Sequence, residues 1–246
     1  MRKIILLLLL CLLSSTAFAE IGPLTAQFQQ KLKDSGSVYI KYNDYTLFDM
    51  YEKNKKRKPS AVVTYTSDGK NIYREMQTIG DYKKYGHNAW LLKNEKIYTL
   101  NMNNRKGLLR TQRDPKYKVE LLNCQSLPTA LGFLMPDELK SSKAKKDTIL
   151  YNFKESKVEN ISGQEYQCEV YCSIKPTIYD IEYKLYFLNT KPVFFAEGNS
   201  SMEILQISAA ANILLFNVPR GFTIYAPFRG DMSNLLKKEI VLERYW

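Results

Sequence analysis

The sequence predicts a mainly β protein, one long antiparallel sheet with a few helices laid on its apolar face. Three observations carry this expectation. Apolar and polar side chains alternate with period two along most of the chain, as half-buried strands require. Connections between the alternating segments are short and rich in turn residues, which joins neighbouring strands antiparallel rather than through crossover helices. Helical spacing of apolar residues appears in only three places.

The chain starts with Arg2 and Lys3, an unbroken apolar run from Ile4 to Leu13, and Ala17-Phe18-Ala19. This is the pattern of a cleaved export signal, with cleavage after Ala19. The apolar run is too short to cross a hydrocarbon core, which takes about 20 residues. Residues 1–19 are therefore read as a signal peptide and 20–246 as one domain, located in the periplasm or secreted. No later segment has the length and apolarity of a membrane span.

Leu24, Phe28 and Leu32 share one face of a helix that ends near Gly36. Tyr45, Leu47, Asp49 and Tyr51 then alternate with Thr46, Phe48 and Met50, predicting a strand. Ala61–Thr66 and Ile72–Ile79 form a hairpin about Asp68-Gly69, since Asp-Gly supplies the positive φ of a tight turn. Ala89–Leu92 and Ile97–Met102 form the next hairpin. Leu127, Ala130, Leu131 and Leu134 break the alternation with helical spacing between Pro128 and Pro136, predicting one or two short helices over 121–139. A lysine-rich linker, Lys140–Lys146, follows. Strands resume over 148–153 and 166–174. Tyr179, Ile181, Tyr183, Leu185 and Phe187 then give the cleanest alternation, with Asp180, Glu182 and Lys184 on the wet face. Val193–Phe195 and Met202–Ser208 complete the strands, and Asp231 or Ser233 caps a last helix bearing Leu236 and Ile240.

The formal net charge is +11, to which Arg2 and Lys3 contribute two. An exported basic protein has little access to nucleic acid, which excludes that class of partner. The densest basic run holds Lys53, Lys55, Lys56, Arg57 and Lys58. It reads either as a solvated loop keeping edge strands apart or as a patch attracted to anionic membrane headgroups.

Chemistry is hard to find. His87 is the one histidine and sits in a turn-like Tyr85-Gly86-His87-Asn88, read as a surface residue. There is no nucleophile elbow, phosphate-binding glycine loop or zinc-binding helix motif. Asp137-Glu138 stands at a helix start, where acids favour the dipole. No catalytic residue, metal site or cofactor is predicted, and an enzyme, a hydrolase, is the minority expectation.

After removal of Cys11 with the signal, Cys124, Cys168 and Cys172 remain. In a strand, residues four apart are separated by roughly 13 Å, and a disulfide needs Cα atoms within about 7 Å. Cys168 and Cys172 therefore do not pair with each other. Cys124 bridging to Cys168 or to Cys172 is one expectation, and free buried thiols are the other. Eighteen Tyr and 11 Phe fit strand propensity alone, or an aromatic sheet lining a ligand cavity. Tyr183, Leu185 and Phe187, with Trp90 and Leu92 opposite, are the candidate lining.

Three segments, "SGQEYQCEVYCSI" from Ser162, "YDIEYKLYFLNTKPVFF" from Tyr179 and "NILLFNVPRGFTIY" from Asn212, stand in a distinctive order. With the leader, first helix and central helical insertion they resemble the LolA-like superfamily of exported bacterial proteins. That superfamily includes the lipoprotein carrier LolA, the receptor LolB and the regulator RseB. The matching positions are Gly163, Lys191-Pro192, Phe216, Pro219, Gly221 and Phe222. The resemblance implies a curved, half-open β-barrel whose concave face is covered by helices, leaving an apolar cavity for a lipid, acyl chain or acylated protein. The alternative it implies is a module binding a partner protein. It brings no functional residues across, because no local motif here matches those of the carriers. A monomer is expected.

Overall fold

In the computed structural model, which describes residues 21–45, 58–174, 181–197, 200–226 and 240–244, helix α1 spans Pro23–Ser35. Proline at the first helical position lacks an N–H that would have no partner there. Gly36 ends the helix at φ 62°, with its N–H turned back to the carbonyls of Leu32 and Lys33. Phe28 and Leu32 are buried, as the spacing predicts, whereas Leu24 is only partly buried and Thr25 is buried beside them. The export segment and its cleavage site lie outside the described residues.

A first meander follows: β1 (Val38–Asp44), β2 (Ala61–Ser67), β3 (Ile72–Thr78), β4 (His87–Lys93), β5 (Lys96–Asn101) and β6 (Lys106–Arg110). Each pairs antiparallel with the next. The Asp68-Gly69 turn is as expected: Gly69 has φ 81°, and the Asp68 carboxylate accepts from the N–H groups of Lys70 and Asn71. One strand moves. It is Val38, Ile40 and Tyr42 that alternate into the core, ahead of the predicted Tyr45–Tyr51, of which all but Tyr45 lies outside the described residues. Lys53, Lys55, Lys56 and Arg57 lie outside them too, while Lys58 is exposed.

The predicted helical interruption is real and longer than expected. It contains α2 (Tyr117–Gln125), α3 (Thr129–Leu134), a single 3-10 turn (Asp137–Leu139) and α4 (Ser142–Thr148). The lysine-rich linker is in fact helix α4. The Ser141 hydroxyl caps it by accepting from the Ala144 N–H at 3.1 Å, and Lys143, Lys145 and Lys146 face solvent.

A second antiparallel meander holds β7 (Tyr151–Ile161), β8 (Gln164–Ser173), β9 (Tyr183–Leu188), β10 (Lys191–Glu197) and β11 (Ser200–Ser208). β11 then pairs antiparallel with β1. β12 (Thr223–Ala226) departs from the expected pattern by running parallel to β6, and β13 (Ile240–Arg244) pairs with β12. Ile240 thus belongs to a strand and not to the predicted last helix, whose Asp231, Ser233 and Leu236 lie outside the described residues. The result is one curved 13-stranded sheet with β13 and β7 at its unjoined ends, a half-open barrel with helices on it.

Three apolar clusters follow from the alternation. The largest lies under the helices and joins Phe28 and Leu32 of α1 and Ala130–Leu134 of α3 to Ile40, Tyr65, Tyr171, Leu185 and Phe195. A second lies on the other face of the first meander, where Phe216, Val218 and Phe222 fold back over Tyr73, Ala89, Leu91 and Leu100. Two of the residues behind the family resemblance, Phe216 and Phe222, therefore anchor this flap, and Gly221 turns it at φ 81°.

The third cluster, Cys168, Val170 and Tyr186, lies on the outer face of β8 and β9. Beside it, Glu159 accepts from Lys157 (2.8 Å), Lys184 (3.3 Å) and the Tyr186 hydroxyl (2.8 Å). The Lys157 hydrogen bond first, then those of Tyr186 and Lys184, hold its carboxyl at about 2, down from the ordinary 4.5. A depressed carboxyl contributes stability that is complete above the unfolded value and lost as pH falls through the folded one. Urea-unfolding midpoints of the wild type and Glu159→Gln are therefore expected to converge as pH falls from 4.5 towards 2. Parallel profiles across that window would remove this assignment.

Candidate functional site

The helix-covered face of the sheet carries the largest apolar cluster among the described residues. Its floor on the second meander is Tyr183, Leu185 and Phe187, all buried beneath α1 and α3. These three positions sit where the alternation put them. Trp90 and Leu92 do not join them in that cluster. They lie on the first meander, where α2 crosses β3, β4 and β5. The sheet thus divides the candidate lining into two floors under two different covers.

The cover over the first floor is thin. Of the residues of α2 only Cys124 is buried, while Val119 and Leu122 are exposed. Hydrogen bonds from three side chains hold the helix down. The Cys124 thiol donates towards the carbonyls of Ile72 (3.4 Å) and Trp90 (3.7 Å). The Thr99 hydroxyl donates to Glu120 at 2.8 Å, and Arg74 Nη1 donates to the Asn123 carbonyl at 3.3 Å. A cavity of about 200 Å³ opens beside it, lined by Leu122, Asn123 and Leu127 on one side and Ser141, Ala144 and Asp147 of the α4 region on the other.

The cysteines resolve differently from the bridged expectation. All three are free. Cys124 is on α2 above β3 and β4, whereas Cys168 and Cys172 are on β8 at the far end of the sheet, so strand order keeps the thiols apart. Tyr166, Cys168, Val170 and Cys172 share a face of the strand, the outer one. Burial pushes the Cys124 thiol up to about 12 and the Cys168 thiol up to about 11. A maleimide in native buffer is expected to modify Cys172 alone, and all three thiols in denaturant, read by intact mass. Failure to label Cys124 and Cys168 in non-reducing denaturant would restore the bridge.

Sequence reasoning missed the most constrained polar group of the covered face. Glu169 is fully buried. Its Oε1 accepts from the Leu24 N–H (2.7 Å), and its Oε2 from the Thr25 N–H (3.1 Å), the Thr25 hydroxyl (2.6 Å) and the Tyr171 hydroxyl (3.2 Å). Tyr171 in turn accepts from the Gly22 N–H at 3.1 Å. A strand carboxylate thus caps α1, whose own N-cap, Gly22, has no side chain to do so. His87, expected as a surface residue, is instead partly buried and paired with Glu75, which also accepts from the Tyr73 hydroxyl.

No protein-family model matches the chain, and no curated protein matches it in sequence. Solved structures of similar fold include an uncharacterized conserved protein from Thermus thermophilus, 6% identical, with TM-score 0.40 over 82% of this chain and 98% of that one. Another is a LolA superfamily protein from Nitrosomonas europaea, 9% identical, TM-score 0.29, covering 78% and 97%. A third is the MucA/MucB complex of Pseudomonas aeruginosa, 10% identical, TM-score 0.33, in which 78% of this chain matches 60% of that one. At these scores the likeness carries no argument about activity or ligand. The layout found here, an unclosed sheet with helices over one face, is the one the LolA-like resemblance implies.

Proposed function

We propose that this chain is a non-enzymatic binding protein of the cell envelope that holds an alkyl chain, of a lipid or of an acylated protein, between its sheet and α2. One observation supports this above the others: α2 covers apolar sheet with a single buried residue, and turns Val119 and Leu122 outward beside an open cavity. A cover held by few buried contacts opens at low cost, and each methylene then removed from water contributes about 0.8 kcal/mol. In this reading residues 1–19 direct export, residues 20–246 act as one monomeric domain, and Trp90 and Leu92 form the nearer wall. The measurement is native mass spectrometry and lipid extraction of protein purified from the envelope, with uptake of a fluorescent fatty acid. A chain that is purified empty and takes up none ends the reading.

A protein-binding module is the second reading, favoured by Ile213 and Leu214, which are 70% and 80% exposed on the flap over the second core. Changing both to serine is expected to leave alkyl binding and stability unaltered while abolishing capture of the partner. Partner capture that survives the change removes this surface from consideration.

A further inference from the structure

Among the described residues the covered face carries a positive charge with no acid paired to it. Arg74, on β3, lies 5.3 Å from the centroid of the Trp90 ring and gives one Nη1 hydrogen to the Asn123 carbonyl. It also shares a hydrogen bond with the buried Tyr42 hydroxyl. Its Nε is buried with no hydrogen-bond partner. Among the described residues Arg74 takes part in no ion pair. Glu120, the acid that α2 brings to this face, accepts from Thr99 instead. Arg110 is a useful contrast: its Nε is also orphaned, yet its Nη1 is paired with Asp114 at 3.1 Å.

A guanidinium cannot shed its charge by losing a proton. Placed against apolar surface, it is costly unless an anion compensates it. Its edge of parallel N–H groups is the shape that grips a carboxylate or a phosphate through two hydrogen bonds. Asn123, which occupies Nη1, also lines the cavity beside α2. Displacement of that carbonyl as α2 lifts would free Nη1 beside the unpartnered Nε.

We propose that Arg74 anchors the anionic head group, carboxylate or phosphate, of a single-chain amphiphile whose alkyl tail lies against Trp90 and Leu92. This rests on the alkyl-binding reading above and assigns its ligand a charge. The test is calorimetric titration, at neutral pH, of the chain lacking residues 1–19 with dodecanoic acid, dodecyl phosphate and dodecanol. At least one anionic ligand is expected to bind about tenfold or more tighter than the alcohol, and the favoured anion identifies the head group. Arg74→Met is expected to erase that preference, read as the ratio of anion to dodecanol affinity within the same variant, because loss of the contact to Asn123 also loosens α2 and shifts all three affinities together. Arg74→Lys, which keeps the charge without the fork, is expected to retain only part of the preference and serves if the methionine variant does not fold. Equal affinity for all three ligands overturns the anchor and leaves the alkyl reading standing, as does a preference that survives intact in both variants. Binding of none of the three overturns both.

Discussion

Glu169→Ala is expected to destabilise the protein by about 4 kcal/mol, because hydrogen bonds to a buried charge contribute about 1.5–3 kcal/mol each and are not additive. The substitution leaves the N–H groups of Leu24 and Thr25 and the hydroxyls of Thr25 and Tyr171 facing the space the carboxylate filled. For a chain of this size the loss corresponds to a fall in melting temperature of roughly 8–16 °C. Glu169→Gln keeps one acceptor and turns an NH₂ towards donors, so it is expected to fall between the two. Gly22 supplies an independent check. A Cβ there meets the Glu169 carboxylate directly, so Gly22→Ala displaces the same group from the opposite side. The two substitutions are therefore expected to be strongly non-additive, the double variant being little worse than Glu169→Ala. Additive losses in scanning calorimetry would show that Glu169 is not what holds α1.

Phe133→Ala is expected to cost about 3–5 kcal/mol, the range for emptying a buried phenylalanine site. Its ring stacks on Tyr171 with centroids 4.4 Å apart and 20° between planes, and meets Tyr183 and Tyr151 edge-on at 5.7 and 6.1 Å. Offset and edge geometries of this kind add about 0.5–1.5 kcal/mol per pair beyond burial. Phe133→Leu retains most of the volume and is expected to cost less than about half as much. Because Phe133 pins α3 to β8 and β9, the alanine variant also loosens the second floor, and uptake of a fluorescent fatty acid is expected to rise even as stability falls. A loss below about 1 kcal/mol would mean that the aromatic cluster collapses into the gap.

How legible these features were depends on the range of the force that shapes them. Ala61–Ser67 was readable from its β-branched and aromatic residues ahead of the Asp-Gly turn, although it is buried on both faces, and Tyr183–Leu188 from the alternation that sets Tyr183, Leu185 and Phe187 against Lys184. β6 was not, since Leu108 and Leu109 are adjacent and the strand is short. α4 was hidden by its lysines, because among its residues only Thr148 is buried. The β6–β12 pairing leaves no local signature at all. The segment "GQEYQCEVYCSI" is the instructive case. Its cysteines and Val170 mark one face correctly, and apolarity suggests that this face is the core. The helices instead cover the other one, carrying Glu169 and Tyr171. A glutamate between Cys168 and Val170 reads locally as a solvent contact, and only α1, roughly 145 residues earlier in the chain, makes it a cap. Arg74 was illegible for the same reason, since its lack of an ion pair among the described residues is a property of the assembled face.

The seam between β1 and β11 has a consequence in time. Ile40 finds its partner at Ile207, and Thr223 finds its partner at Lys106. Such distant pairings make for slow folding, because the entropy of closing long loops is spent before the contacts form. A chain made or threaded from its N-terminus can assemble the β2–β6 meander early, yet β1 has only one neighbour until residues 200–208 arrive. Loss of the C-terminal segment from Ser200 onward therefore does not trim the periphery of this sheet. It opens a new pair of raw edges at its centre, and such fragments are expected to aggregate rather than persist as smaller folded pieces.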